Sequence, residues 1–98
     1  MASYGSLFLV DQPGVSITEL RQDETGEGVV ALVQELTGAA RDITLGPGVL
    51  AFRGARRVDF LERDLGALPL LAGGGVSVPM LAYGITAIRL TGIEVAAR

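Results

Sequence analysis

Carboxylates are the side chains in this sequence that are best suited to catalysis by their type and spacing. Asp59 and the run Glu62-Arg63-Asp64 lie close together, Asp23-Glu24 lie in an acidic stretch, and Glu35 ends an apolar run. A glycosidase needs two such groups across its substrate, one of them with a pKa raised by burial. Nothing in the local sequence predicts that these groups are desolvated. We therefore interpret Asp23 and Glu24 as solvated charges of a loop, and Glu62 with Arg63 as residues that hold a turn.

Histidine and cysteine are absent from the sequence. Their absence removes the Ser–His pair of hydrolases, thiolate chemistry, disulfides and the usual zinc ligands. An all-oxygen calcium site is compatible with the composition, but the acidic residues 23–27 lack the EF-hand pattern. Gly73-Gly74-Gly75 matches no phosphate-binding loop and is typical of a hairpin turn. We predict no catalytic residue, no metal ligand and no cofactor in this chain.

The charges are dispersed and the composition is apolar. The eight basic residues are all arginine, only Arg56-Arg57 are adjacent, and the net charge is −3. Nucleic-acid binding requires clustered cations, and a membrane span requires about 18 apolar residues in succession, so the sequence predicts neither partner. Residues 1–5 lack the basic region of a signal peptide, which with the absence of cysteine favours a cytoplasmic location. A hydrophobic fraction of 49% in so short a chain is compatible with two interpretations. One is an ordinary β-domain rich in Val, Leu and Ala, and the other is a domain with an exposed apolar surface that serves docking or self-association.

The elements that position these groups are short and separated by turn signals. Ninety-eight residues make one domain with one modest core. Apolar runs and alternation between Gly and Pro turns predict strands at residues 6–10, 15–21, 41–45, 49–53, 76–80 and 83–90. Pro79 predicts that its strand lies at a sheet edge or ends there. In total, roughly seven to nine short segments predict an all-β fold, an antiparallel β-sandwich.

Two segments admit either a helix or a strand. Residues 29–35 are a buried β-branched strand or an amphipathic helix capped by Gly38, and the glycine-containing loops at both ends favour the strand. In residues 55–65, the positions Val58, Leu61 and Leu65 have helical spacing, and Gly66 is placed to cap a helix. The same residues alternate as a strand with both faces partly buried. Periodicity leaves this second segment open.

Short motifs occur in a characteristic order along residues 7–90. They are Val15-Ser16-Ile17-Thr18-Glu19-Leu20-Arg21, Asp23-Glu24 with Gly28, the run ending in Glu35 with Gly38, Asp59-Phe60-Leu61-Glu62-Arg63, and Tyr83-Gly84-Ile85-Thr86-Ala87-Ile88-Arg89-Leu90. This series resembles the C-terminal β-sandwich domain of glycoside hydrolase family 38, the α-mannosidases. The motif residues that we single out as structural signatures are Glu35, Asp59, Leu61, Glu62, Arg63, Ile85, Arg89 and Leu90. The sequence departs from the family pattern at Leu32, Gly84 and Ala87, where Arg, Glu and Thr are expected.

The resemblance implies a β-sandwich in which both ambiguous segments are strands. It also implies that zinc and the nucleophilic Asp belong to an N-terminal catalytic domain outside these residues. The chain is then a non-catalytic C-terminal domain of a larger glycoside hydrolase. Its partner is the catalytic domain of the same parent chain, which it packs on and stabilises. A free-standing carbohydrate-binding or protein-interaction sandwich is the alternative function.

Overall fold

A computed structural model of the chain describes residues 8–95, and all regular elements in that range are β-strands. Ten strands follow one another there: β1 Phe8–Val10, β2 Val15–Gln22, β3 Val29–Glu35, β4 Arg41–Pro47, β5 Leu50–Ala51, β6 Gly54–Val58, β7 Asp64–Ala67, β8 Val76–Met80, β9 Ile85–Thr91 and β10 Glu94–Val95. No helix of the length and hydropathy that a membrane crossing requires occurs in residues 8–95.

The strands form two main sheets and one short pair. The larger sheet has the order β2-β3-β9-β6-β7, the smaller sheet has the order β1-β4-β8, and β10 pairs with β5. All these pairings are antiparallel. The predicted all-β antiparallel sandwich is therefore confirmed. The described strands outnumber the predicted segments because residues 55–65 contribute to two strands and residues 94–95 add another.

The core lies between the inner faces of the two main sheets. Successive side chains of a strand point to opposite faces, so buried residues alternate with others in the middle of β4, at Ile43 and Leu45, and along β8. Phe8 and Phe52 meet there with ring centroids 5.8 Å apart and ring planes tilted by 60°. Burial of one large apolar side chain contributes roughly 1.5–3 kcal/mol. The fully buried large apolar side chains of this core are Phe8, Val33, Ile43, Leu45, Val76, Val78, Ile88 and Leu90.

Residues 29–35 form strand β3, as their β-branched content and flanking loops predict. β3 is hydrogen-bonded to β2 on one side and to β9 on the other, so it has no free edge. Both of its faces contribute buried side chains, with Ala31 and Val33 in the core and Val30 on the outer face. A strand buried on two faces reads as a continuous apolar run, which explains its resemblance to a helix in sequence.

The prediction of one continuous strand for residues 55–65 is wrong, and so is the helix. Strand β6 ends at Val58, a turn follows, and β7 begins at Asp64. Oδ1 of Asp59 accepts the backbone N–H groups of Leu61 and Arg63, each at 2.9 Å. An Asp that accepts the backbone N–H two residues ahead closes a tight turn. Glu62 adopts a φ of 63°, which no continuous strand contains.

The glycine turn and the edge proline lie where the sequence predicts them. Gly73 and Gly74 have φ values of 92° and 88°, a region that glycine adopts readily. The N–H of Leu71 donates to the carbonyl of Gly75 at 2.7 Å and closes the loop before β8. Pro79 lies in β8, an edge strand of the smaller sheet, where its missing N–H interrupts no central ladder.

Candidate functional site

The buried carboxylate of Glu35 lies at the end of β3, where three segments of chain meet. Its Oε2 accepts hydrogen bonds from the hydroxyl of Thr37 and from Nη2 of Arg41, the latter at 3.1 Å. Its Oε1 accepts backbone N–H groups at distances of 2.6 to 3.3 Å, from Thr37, Gly38, Ala39 and Tyr83. The carboxylate thereby joins the β3–β4 turn to the turn that precedes β9.

These contacts hold Glu35 in its charged form. Burial by itself raises the pKa of Glu35, but hydrogen bonds from the Thr37 hydroxyl and from three backbone N–H groups outweigh it and lower the pKa to about 2. A general acid in catalysis needs the opposite shift. Glu35 is also enclosed, with none of its surface exposed to solvent. Its arrangement suits the closing of a turn, and no substrate atom can reach the carboxylate.

Asp59 and Arg63 hold the turn between β6 and β7. Oδ2 of Asp59 accepts a hydrogen bond from Nε of Arg63 at 2.7 Å, while Oδ1 accepts two backbone N–H groups. The backbone N–H of Arg63 lowers the pKa of Asp59, followed by the Arg63 side chain and by Leu61, against the opposing effect of burial. Asp64 forms a separate two-point ion pair with Arg56, at 2.9 and 2.7 Å.

Arg89 of β9 contacts two acidic residues that are distant in sequence. Its Nη2 donates to the carbonyl oxygen of Glu62 at 3.0 Å and lies 3.5 Å from Oε1 of Glu62. Its Nε lies 3.6 Å from Oδ2 of Asp23. Arg21 adds a second cation, with Nη2 3.7 Å from Oε2 of Glu62. These four residues, the Arg89 network, join the β2–β3 loop and the β6–β7 turn to the centre of the larger sheet.

Asp23 is buried, so its interpretation as a solvated loop charge is wrong. Oδ1 of Asp23 accepts the hydroxyl of Thr25 at 2.7 Å and the N–H of Thr25 at 3.0 Å. The Thr25 hydroxyl lowers the pKa of Asp23, and backbone N–H groups add to that effect against burial. A Cβ on Gly28 would lie 2.6 Å from Oδ2 of Asp23, so a glycine there leaves room for the carboxylate. Glu24, by contrast, is exposed.

The apolar motif residues lie in different environments. Leu90 is fully buried in the core between the sheets. Leu61 lies in the β6–β7 turn and is exposed, with its backbone N–H bonded to Asp59. Ile85 begins β9 and remains 47% exposed although β9 is the central strand of the larger sheet. The structure thus brings Asp23, Glu62 and Arg89 together and leaves Glu35, Leu90 and Ile85 in separate places.

The outer face of the larger sheet is covered at one end of β9 and open at the other. Val30, Val58 and Ala87 form a small buried cluster on this face, with Leu32 packed against it. Leu32 lies directly opposite Ala87 in the β3–β9 pairing. The Arg89 network lies at the covered end, and Ile85 lies on the same face at the open end, because alternate residues of a strand share a face.

Exposed apolar side chains surround Ile85 at the open end. Two shallow depressions of about 180 and 190 Å³ adjoin Ile85, one on this face and the other at the end of the sandwich against Pro79 and Met80 of β8. Both are lined by Arg57, Ile85 and Thr86. One also contains Phe60 and Leu65, which are 64% and 57% exposed, and the other contains Leu81, which is 74% exposed. We call this region the Arg57 surface; its residues are Arg57, Phe60, Leu65, Leu81 and Ile85.

The composition is compatible with an exposed apolar surface but does not locate it. In the sequence, Phe60 lies within a motif and Arg57 is half of an adjacent basic pair. One local signal points to this surface: Leu81 and Tyr83 follow Pro79 in a turn, where large apolar residues are unusual. The other residues cannot be assigned to this surface without knowing that β6, β7 and β9 are neighbours.

The exposed apolar side chains of the Arg57 surface are arranged in a way that suits contact with another protein surface. Within residues 8–95, no group of three or more His, Cys, Asp or Glu side chains is placed to hold a metal ion. No protein-family model matches the chain, and no curated protein matches it. What the chain does must therefore be inferred from its motifs and from the geometry of its surface.

Proposed function

We propose that this chain is the non-catalytic C-terminal β-sandwich domain of an α-mannosidase-like protein of glycoside hydrolase family 38. In this role it packs on the catalytic body of the parent protein and stabilises it. The observation that carries the packing role is the Arg57 surface, where exposed Phe60, Leu65 and Ile85 line one depression and exposed Leu81 lines the adjoining one. Clustered exposed apolar residues on a small domain mark a contact with another protein surface. The identity of the parent rests on the resemblance in sequence.

The contacts of the motif residues support reading them as structural signatures. Glu62 of the Asp59-to-Arg63 motif contacts Arg89 of the closing-strand motif. Asp59 and Arg63 are bonded to each other, and Glu35 is enclosed by its own turn. These charged side chains are engaged in holding the domain together. Their chemistry is therefore used within the fold, which is the role expected of motif residues in a domain that does not touch substrate.

The first test is enzymatic. The purified 98-residue chain and the complete protein encoded by its gene are assayed for hydrolysis of 4-nitrophenyl α-mannoside, with and without zinc. We expect zinc-dependent turnover by the complete protein and none by the chain alone. Zinc-dependent turnover by the chain alone would overturn its assignment as non-catalytic. A complete protein without a zinc-dependent glycosidase activity would overturn the assignment of the parent.

The second test concerns the stabilising role. Ile85→Glu places a charge on the Arg57 surface, and Leu9→Glu places one on the smaller sheet at a residue of similar exposure. In the complete protein, we expect Ile85→Glu to shorten the lifetime of glycosidase activity at elevated temperature, because covering a charged side chain in the contact costs free energy. Leu9→Glu should have little effect. Equal lifetimes for the two variants would argue against packing through this surface.

A free-standing binding module is the second candidate, and one observation favours it. The rings of Phe60 and Tyr83 are both largely exposed. Exposed aromatic rings can pack against the apolar face of a sugar. Calorimetric titration of the chain with methyl α-mannoside and mannobiose separates the candidates. Saturable binding that Tyr83→Ala removes would favour the binding module, and no heat of binding up to millimolar sugar favours the packing domain.

A further inference from the structure

The two main sheets separate at one end of the sandwich, and the larger of the two depressions opens between them there. Arg57 of β6 lies directly opposite Ile88 of β9, a core residue, so Arg57 is on the inner face of the larger sheet. Thr86 lies on the same face, because alternate residues of a strand share a face. We call this depression of about 190 Å³ the Met80 depression; its lining includes Arg57, Leu81, Ile85 and Thr86, with Pro79 and Met80 from the smaller sheet.

Arg57 brings an unpaired cation to this depression. Residues 8–95 contain seven of the eight arginines of the sequence, since Arg98 lies outside that range. Within the described residues, Arg57 has no carboxylate oxygen within 4.0 Å and donates no hydrogen bond from its side chain. The other six described arginines each have a carboxylate oxygen within that distance: Arg21, Arg41, Arg53, Arg56, Arg63 and Arg89.

Thr86 brings a hydroxyl group without a partner. The residue is only 6% exposed, yet it lines the depression. Among the residues that the structure describes, its hydroxyl makes no hydrogen bond. The fully enclosed unpaired side-chain atoms of residues 8–95 are Nε of Arg41 and Nε of Arg89, so the Thr86 oxygen is accessible from the depression. Buried polar groups in proteins normally have a hydrogen-bond partner, and a ligand in the depression would supply one.

The rest of the lining is apolar. Met80 is 2% exposed and forms part of the core, while Leu81 and Ile85 are exposed at the rim. A cavity of about 150 Å³ is large enough to hold a benzene ring. The Met80 depression, at about 190 Å³, therefore has room for one ring or one branched aliphatic group. An apolar concavity with a few polar groups that orient the ligand is the usual form of a small-molecule site.

We propose that the Met80 depression binds a small molecule that carries a carboxylate on an aromatic ring or a branched aliphatic group. The carboxylate pairs with the guanidinium of Arg57 and accepts the hydroxyl of Thr86, and the apolar group packs against Pro79 and Met80. The planar fork of a guanidinium matches the geometry of a carboxylate. The inference does not depend on the proposed function, because this depression lies at the end of the sandwich, apart from the outer-face depression that Phe60 and Leu65 line.

Other ligand classes fit the same depression less well. The hydroxyl groups of a neutral sugar would be left unpaired against Pro79 and Met80, which costs free energy. A nucleic acid needs several clustered cations, and the depression has one. A cationic ligand would meet Arg57 as a like charge. The combination of one cation, one hydroxyl and an apolar lining therefore points to an apolar carboxylate.

Saturation-transfer NMR tests the inference with benzoate and with benzamide, its uncharged counterpart. Both ligands are titrated into the complete protein encoded by the gene and into the 98-residue chain, whose folding circular dichroism checks. We expect half-saturation by benzoate at about 1 mM, as for a ligand of this size with a modest free energy per atom. Benzamide should bind about tenfold more weakly, because it lacks the charge-assisted hydrogen bonds. Equal binding of the two ligands, or none of benzoate at about ten times that concentration, would overturn the inference.

Variants locate the bound carboxylate. Arg57→Met keeps the apolar stem without the charge, so it should weaken benzoate about tenfold and leave benzamide unchanged. Thr86→Val removes the hydroxyl at nearly constant shape and should weaken benzoate several-fold. Arg53→Met is the matched control, since Arg53 is exposed and pairs with Glu94 away from the depression. Unchanged benzoate binding by Arg57→Met, or an equal loss in Arg53→Met, would contradict the site.

Two further comparisons decide the source of the carboxylate. A short acetylated peptide ending in phenylalanine presents the same chemistry at a chain terminus. Binding of this peptide more tightly than benzoate would overturn a small molecule in favour of a protein C-terminus, and weaker binding supports the small molecule. Binding by the 98-residue chain that is lost in the complete protein would show that the depression is covered there, which would overturn it as a ligand site of the complete protein.

Discussion

Tyr83 donates its backbone N–H to Oε1 of Glu35 at 3.3 Å, although the two residues are 48 positions apart in sequence. The contact fixes the turn before β9 against the end of β3. Tyr83 adopts a φ of 57°, a region that a bulky residue occupies only when its surroundings hold it there. Glu35 therefore connects the two turns at this end of the sandwich, and replacing it should destabilise both turns.

Replacing Glu35 with Gln should destabilise the chain. The amide keeps one acceptor oxygen, but its NH2 group would face the Arg41 guanidinium, which can only donate, and the Thr37 hydroxyl, which would have to turn from donor to acceptor. We expect the Tm to fall on the order of 10 °C for a domain of this size. Glu94→Gln, in an exposed pair with Arg53, is the control and should change Tm little. Equal shifts in the two variants would contradict the assigned role of Glu35.

The stability of the chain should depend on the ionisation of Glu35. Its pKa is lowered from 4.5 to about 2 in the folded state, so its contribution is fully present above about pH 5 and is lost as the pH falls towards 2. The Tm difference between the wild type and Glu35→Gln should be constant at neutral pH and shrink below pH 4.5. Thermal unfolding of both proteins at a series of acidic pH values, followed by circular dichroism, measures this difference in Tm. A difference that grows on acidification would have the wrong sign.

Removing Arg89, the central cation of the Arg89 network, should destabilise the fold more than removing an exposed cation. Arg89→Met leaves Asp23 and Glu62 close to each other with only Arg21 to balance them. Breaking a largely buried pair costs about 3 kcal/mol, measurable by urea unfolding. Arg53→Met removes an exposed pair and should cost little. If Arg89→Met has the same midpoint of urea unfolding as the wild type, the network contributes no stability.

Two glycine substitutions separate backbone strain from steric overlap. Gly38 has a φ of 83°, and a Cβ there would lie 2.7 Å from the ring of Tyr83. Gly73 has a φ of 92° with no atom within 4 Å of a Cβ. Gly73→Ala should cost about 1 kcal/mol from its backbone alone. Gly38→Ala should cost only slightly more, because the Tyr83 ring is 68% exposed and can swing away from the new methyl group. A cost larger by more than about 1 kcal/mol would show that the ring is held in place.

The isolated chain should associate weakly at high concentration. The Arg57 surface leaves large apolar side chains exposed, and such a surface favours contact with another molecule. Light scattering should show an apparent mass that rises with concentration. Ile85→Glu should keep the chain monomeric, and Leu9→Glu should not. A strictly monomeric wild type at millimolar concentration would count against this prediction.

Most strands and turns are encoded locally. Alternating residues in β2 and β8, the apolar run of β3 and the glycines before β8 each predict their element, because strand periodicity and turn geometry depend on neighbouring residues. Pro79 likewise predicts the edge position of β8. The exception is residues 55–65, where the Asp59 turn interrupts the apolar spacing. The local signal for that turn is Asp59, whose side chain accepts the backbone N–H of Leu61 two residues ahead. The helical spacing of the apolar residues in the same segment favours a different interpretation.

The environment of each charge, by contrast, depends on the folded structure. Asp23 reads as a solvated charge in an acidic loop, but it is buried, with Thr25 hydrogen-bonded to it and Nε of Arg89 of β9 3.6 Å away. Arg57 reads like its neighbour Arg56, but only Arg56 meets a carboxylate. Burial and ion pairing arise between residues that are distant in sequence, and the order of strands in the sheet brings them together. Local sequence therefore specifies the strands, while the packing of those strands sets which charges are enclosed and which surface is open.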